Sequence, residues 1–397
     1  MQVIVAPSVG RGSIVAPPSK SAAHRGLIAA ALSEGCRIYG LGNSADMDAT
    51  CRALIALGAQ LREESGSLYA GGLRPQECKP CHIDCGESGS TLRFIIPLCL
   101  IGGQPITLSG QGRLMERPLE EYRQLCQEKG FAFELAGNTL TVCGALKGGE
   151  YRVSGARSSQ FITGMMLALP MLDGDSRLII EGQAQSRSYI DLTEQILKEF
   201  GIRLTKTDDG YIIPGGQHYR AERFCVEADW SNAAFPEALN VLGGDVTVTG
   251  LREASTQGDK IYRKYFGLLG TEQQMDLSDC PDLAPILFAL AAVKGGRFVG
   301  CKRLRLKESD RIAAMHSELK KCGVTLAADE DSVVISPDGL CPPKETICSH
   351  GDHRIVMAMT VLLTRLGGRI EGAEAVGKSW RDFFEAMKLL DIEVIQC

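Results

Sequence analysis

Six times along these 397 residues a short apolar strand closes on a glycine, and that recurrence constrains the fold more than any other property of the chain. The strands end at Gly40, Gly110, Gly182, Gly250, Gly300 and Gly372, at intervals of 70, 72, 68, 50 and 72 residues. After each comes a polar loop, a charged helix and a second strand. Five of those helices stop at a glycine, namely Gly58, Gly130, Gly201, Gly270 and Gly323, and the sixth has Asp391 there. A second set of six segments, at 19–32, 88–101, 158–172, 231–242, 281–293 and 353–366, reads as helices that are apolar around most of their circumference. Such helices suit burial inside a domain. At 12 to 15 residues they are too short to span a bilayer. A unit that must bury its apolar face on its neighbours implies an architecture assembled from repeats. The period exceeds that of common solenoids, so two closed domains of three units each are expected.

The length suits two domains of ordinary size. A net charge of −5 and a pI near 5.8 argue against nucleic acid as the partner. Residues 1–10 carry no basic stretch of the kind that opens a signal peptide, so a cytoplasmic protein is expected. The 15 cysteines are odd in number and spread through apolar helices, which fits reduced thiols. Two groups, Cys78, Cys81, His82 and Cys85, and Cys348, His350 and His353, have spacing reminiscent of zinc ligands. A complete structural site generally needs two such pairs, so no metal is expected. The segment 215–224 is polar and opens with glycine, a plausible crossing between the halves. No low-complexity linker separates them, and a cleft between the two is the default site.

Three segments join small or basic residues to the start of an apolar helix. Residues 17–26 (PPSKSAAHRG) supply Lys20, Ser21 and Arg25; residues 87–93 (ESGSTLR) supply Gly89; residues 156–161 (ARSSQF) supply Ser158, Ser159 and Gln160. Helix N-termini offer free N–H groups and partial positive charge, which suit anions. Singly, each would read as an ordinary serine cap. Recurrence at equivalent points of three repeats favours a common anion site instead.

The loops after the strand glycines add cations: Arg113 and Arg117; Ser186, Arg187 and Tyr189; Arg303, Arg305, Lys307, Glu308 and Arg311; and Lys378, with His353 and Arg354 opening the last apolar helix. One basic run is usually a solvated face. Basic residues at the same point of successive units indicate a ligand with phosphate and carboxylate groups, which arginine grips bidentately. Within that field Asp282 and Glu308 are the acid–base candidates, although either could be a helix cap. No Walker loop, no GxGxxG after a strand and no Ser-His-Asp arrangement is visible.

In order, the segments PPSKSAAHR, ESGSTLR, GRLMERP, SSQFITG, SRSYID, TQGD, CPDLAP, LKESDR, GDHR and GKSW resemble the motifs of the 5-enolpyruvylshikimate-3-phosphate synthases over essentially the full length. The resemblance implies an α/β fold of two similar domains, each of three βαβαββ units in pseudo-threefold arrangement, an inside-out α/β barrel. It implies domains at 18–224 and 225–397, the second joined by the amino-terminal strand segment 1–17. It implies a monomer that transfers the enolpyruvyl group of phosphoenolpyruvate to shikimate 3-phosphate, with no metal or cofactor and no membrane partner. By the same resemblance Ser21, Arg25, Ser158, Ser159, Gln160, Ser186, Tyr189, Asp282 and Lys307 would hold shikimate 3-phosphate. Lys20, Gly89, Arg113, Gln160, Arg311, His353, Arg354 and Lys378 would hold phosphoenolpyruvate. Lys20, Asp282 and Glu308 would carry the proton transfers.

Three positions depart from the family pattern. Glu87 stands where asparagine is common, which bears on phosphoenolpyruvate and on its analogue glyphosate. Arg381 stands where a proline is usual, and Arg303 where some members have asparagine. The rival readings are the related transferase acting on UDP-N-acetylglucosamine, RNA 3′-terminal phosphate cyclase, and a non-catalytic anion-binding protein. The loop GQGRLMERP lacks the reactive cysteine of the first rival, the acidic balance and missing motifs weigh against the second, and Asp282 with Glu308 among the cations weighs against the third.

Overall fold

A computed structural model describes residues 1–155, 159–182 and 185–397. The chain divides into two compact units, Lys20–Glu227 and Met1–Ser19 with Ala228–Cys397.

The repeat is plainest in the middle of the first unit. Strand Cys81–Asp84 leads to helix Gly89–Cys99, strand Ile106–Ser109, helix Glu120–Lys129 and the hairpin Ala132–Ala136 with Thr139–Cys143. The first two strands are parallel, as a helical crossover requires. The hairpin closes antiparallel on the second, so the spatial order is first, second, fourth, third. The sheets built on Glu150–Ser154 and on Gln274–Asp276 have the same order.

The apolar helices form the core of each unit. They are α1 (Lys20–Ala31), α2 (Gly89–Cys99), α3 (Ser159–Ala168), α4 (Trp230–Val241), α5 (Ala284–Lys294) and α6 (His353–Leu366). All but a few of their residues are buried, the outcome expected of helices with no polar face. In α2, Pro97 cannot donate to the carbonyl four residues back. That carbonyl, on Arg93, instead accepts from the Tyr122 hydroxyl at 2.6 Å, so no buried acceptor is stranded.

The repeats are completed by borrowed strands. The first lacks a leading strand of its own, and Arg223–Cys225 fills the place, parallel to Cys36–Tyr39. In the fourth, Arg11–Val15 leads and pairs parallel with Asp245–Thr249. After helix Tyr262–Leu268 this repeat passes straight to Gln274–Asp276 without a hairpin, which accounts for its interval of 50 residues. In the sixth, Gln2–Val5 takes the closing place between Gly368–Glu371 and Val394–Gln396. Asp391 stands in the left-handed region at φ +60°, the conformation that the five glycines at equivalent points supply.

Among the described residues no helix is long and apolar enough to cross a membrane.

Candidate functional site

In the unit that contains Ala228–Cys397, the side chains gather on Arg311. This residue opens helix Arg311–Lys321 and is almost wholly buried. Its guanidinium donates through Nη1 to Asp282 Oδ1 at 2.7 Å, through Nη2 to Glu308 Oε2 at 3.0 Å and through Nε to Asp352 Oδ2 at 3.0 Å. Helix Arg311–Lys321 is capped by Asp310, whose carboxylate accepts from the Ile312 and Ala313 amides. Glu308 is therefore not that helix's cap. Asp282 lies in the 3₁₀ turn Pro281–Leu283 ahead of α5 and makes no capping bond there either. Both acid–base candidates are held by the same guanidinium.

Asp282 faces two further cations, Arg354 Nη2 at 3.3 Å and Lys307 Nζ at 3.7 Å. Burial alone would raise its carboxyl, but Arg354, Lys307 and Arg311 outweigh burial and hold it well below the usual carboxylate range. Burial pushes Lys307 down to about 8, against the pull of Asp282. Asp352, fully buried, caps α6 by accepting from the Arg354 amide and also receives the Ser309 hydroxyl. Its cap fixes His353 and Arg354 at the helix start. Nε and Nη1 of Arg354 are buried with no hydrogen-bond partner among the described residues, while the guanidinium lies 5.7 Å from the Phe235 ring. A buried cation with unused donors is a built receiver for an anion. Lys378 donates to the Gly351 carbonyl at 2.6 Å, on the turn that precedes Asp352.

In the unit Lys20–Glu227, Lys20 is the first residue of α1 and pairs with Asp46 Oδ2 at 2.8 Å. Arg25, one turn on, is buried with its donors directed inward. Nε reaches Thr193, Nη1 the Ser21 carbonyl, and Nη2 both Thr163 and the Tyr189 carbonyl. It thus ties α1 to α3 and to helix Arg187–Glu199. Burial lowers its guanidinium to about 10. Ser186, which precedes that helix, is buried with φ +55°, a strained region for a residue with a side chain.

Ser88 caps α2 by accepting from the Thr91 amide. Gly89 lies beneath two guanidiniums: a Cβ there would meet Arg117 Nη1 at 2.7 Å and Arg93 Nη1 at 2.8 Å. Arg93 also donates to Gln160 Oε1 at 3.0 Å, and Gln160 donates to Ser90. Ser159 opens α3 and is buried. Arg113 is half-exposed beside Glu116, and the Glu87 carboxylate lies against Gly112, next to it in the chain. Ser158, also read as a ligand residue, lies outside the described residues.

Sequence reasoning did not single out Arg93, Asp46, Asp352 or Ser309 as site residues. Arg93 closes the ESGSTLR segment and Asp352 stands in GDHR, so both signals were present in the motifs themselves. Among the described residues no group of three or more His, Cys, Asp or Glu could hold a metal ion. The fifteen cysteines are all free thiols. Burial raises those at Cys78, Cys85 and Cys99, which makes them poor nucleophiles.

The fold is that of enolpyruvyl transferases. A solved EPSP synthase from Acinetobacter baumannii aligns at a TM-score of 0.79 with 24% identity, covering 100% of both chains. The enolpyruvyl transferase NikO from Streptomyces tendae aligns at 0.73 with 12% identity, covering 99% of this chain and 98% of that one. In sequence, the 3-phosphoshikimate 1-carboxyvinyltransferase of Clostridium kluyveri is 38% identical over 418 aligned positions, covering 99% of this chain and 98% of that protein. The enzyme of the same name from Clostridium perfringens is 36% identical, with 98% of each covered. The family model described as EPSP synthase (3-phosphoshikimate 1-carboxyvinyltransferase) matches residues 6–387, and the chain belongs to that family.

Proposed function

We propose that this chain transfers the enolpyruvyl group of phosphoenolpyruvate to the 5-hydroxyl of shikimate 3-phosphate and releases inorganic phosphate. The observation that carries the reading is the Arg311 hub, which binds Asp282 and Glu308 into one cationic cluster in a chain of this family. Two acids of separate roles held among arginines suit an addition–elimination on an anionic enol ester.

In the addition, the 5-hydroxyl oxygen bonds to C2 of phosphoenolpyruvate, Asp282 takes its proton, and a proton reaches the methylene carbon from Glu308 or Lys20. The tetrahedral intermediate then loses phosphate with its C–O bond pair, and a methyl proton returns to the protein, re-forming the C=C bond in the product enol ether. Such proton transfers are worth about 10² to 10⁴ in rate. The cations stabilise the charge that shifts onto phosphate, an effect of the kind that usually dominates. Shikimate 3-phosphate is assigned to Ser21, Arg25, Ser158, Ser159, Gln160, Ser186, Tyr189, Asp282 and Lys307. Phosphoenolpyruvate is assigned to Lys20, Gly89, Arg113, Gln160, Arg311, His353, Arg354 and Lys378, to which Arg93 and Arg117 beside Gly89 are added. Fifteen free thiols fit a reducing, cytoplasmic location.

The test is phosphate release from phosphoenolpyruvate by the purified protein, with shikimate 3-phosphate or UDP-N-acetylglucosamine as acceptor. Release that needs shikimate 3-phosphate and is abolished in Lys20→Ala and Glu308→Ala supports the reading. Release only with the nucleotide sugar would move the chain to the sister activity.

A further inference from the structure

Glu318 has no part in the chemistry above, yet its side chain is only 1% exposed. An ionised carboxylate at such a position is costly unless it is fully paired, so an apolar residue would fill the space more cheaply. Its partners lie mainly on one short segment. Oε1 accepts from His350 Nε2 at 2.7 Å, and Oε2 accepts from the Cys348 amide at 2.9 Å and from Lys321 Nζ at 2.8 Å. Lys321 in turn donates to the Thr346 carbonyl at 2.9 Å. Two helical turns back, on the same face, Arg311 grips Asp352. One face of helix Arg311–Lys321 therefore holds residues 346–352 along their length.

That segment needs holding. His350 and Gly351 are consecutive residues at φ +50° and +66°, and the first has no glycine freedom to make the conformation cheap. The turn delivers the Gly351 carbonyl to Lys378, the Asp352 carboxylate to Arg311, and His353 and Arg354 to the start of α6. A slack turn would move every one of these groups without removing any.

We infer that Glu318, through His350 and the Cys348 amide, is a positioning residue that sets the turn presenting His353, Arg354 and Lys378 to the phosphoenolpyruvate anion. The inference rests on the proposed activity. Glu318→Gln keeps the size and loses the charge. It should raise the KM for phosphoenolpyruvate about tenfold, the scale on which small misplacements of binding groups act, and leave the KM for shikimate 3-phosphate within about twofold. A folded Glu318→Gln protein with both KM values unchanged overturns the inference. So does an equal rise in both KM values with a lower melting temperature, which would mark general loosening. Should Glu318→Gln fail to fold, His350→Ala, which leaves Lys321 and the Cys348 amide on the carboxylate, decides by the same split between the two KM values. An active wild type with unaffected variants sinks only this inference; an inactive wild type sinks the functional reading and this one with it.

Discussion

Arg311 donates to Asp282 Oδ1 at 2.7 Å from a position out of contact with water, and the same guanidinium holds the fully buried Asp352. Removing one member of a buried ion pair leaves an uncompensated charge, which costs about 3–5 kcal/mol. Arg311→Ala should therefore lower stability by about that amount in urea unfolding. Little or no change in stability would show that Asp352 is adequately satisfied by Ser309 and the Arg354 amide alone.

Asp282→Asn keeps an acceptor for Arg311 but removes the proton acceptor. It should lower kcat by about 10² to 10⁴, and it should also lower the melting temperature, because Arg354, Lys307 and Arg311 lose their shared counter-charge. Steady-state phosphate release and a thermal melt on the same sample check both halves. An unchanged kcat would return Asp282 to a purely electrostatic partner of Arg311.

Lys307 titrates at about 8, lowered by burial. Below that pH it is charged and above it neutral, so the KM for shikimate 3-phosphate should climb as pH rises through about 8. Lys307→Arg should flatten that limb, because a guanidinium keeps its charge. Linkage runs the opposite way for stability. The unfolded chain binds the proton up to its ordinary value of 10.5, so between about 8 and 10.5 the folded state is relieved of a buried charge and gains stability with pH. Urea unfolding across that range, with and without Lys307→Arg, measures the gain.

Gly89→Ala pushes a methyl group toward the ends of Arg93 and Arg117, which are side chains able to swing aside. The protein should fold, since alanine also favours the helix. The displaced guanidiniums would loosen Gln160, and the KM for phosphoenolpyruvate should rise about tenfold. An unaltered KM would remove Arg93 and Arg117 from the anion site.

The repeats were legible because each writes the same local chemistry: a short apolar strand, a glycine, and a helix with no polar face. Even Asp391 fitted, as a residue that tolerates the left-handed turn. The borrowed strands were not legible as sheet partners. Nothing local marks Arg223–Cys225 as the mate of Cys36–Tyr39, because that pairing is decided by which sheet edge lacks a strand. The interval of 50 residues was visible in the chain, but its cause, a missing hairpin, needed the topology. In the site, Asp282, Glu308 and Arg311 stood out as charges in apolar or basic surroundings. Asp352 did not, because a helix cap and a guanidinium clamp have the same sequence signature. Glu318 was hidden for a related reason: on a charged helix, a buried glutamate reads like any solvated one.

The closing place that Gln2–Val5 takes in the sixth sheet has a consequence for synthesis. Both of its neighbours, Gly368–Glu371 and Val394–Gln396, are synthesised hundreds of residues after it. At about 5–20 residues per second that delay is tens of seconds, long enough for Lys20–Glu227 to fold in the meantime. The strand is made long before either partner, and until they arrive the newborn chain carries an apolar, unpaired segment that chaperones can grasp.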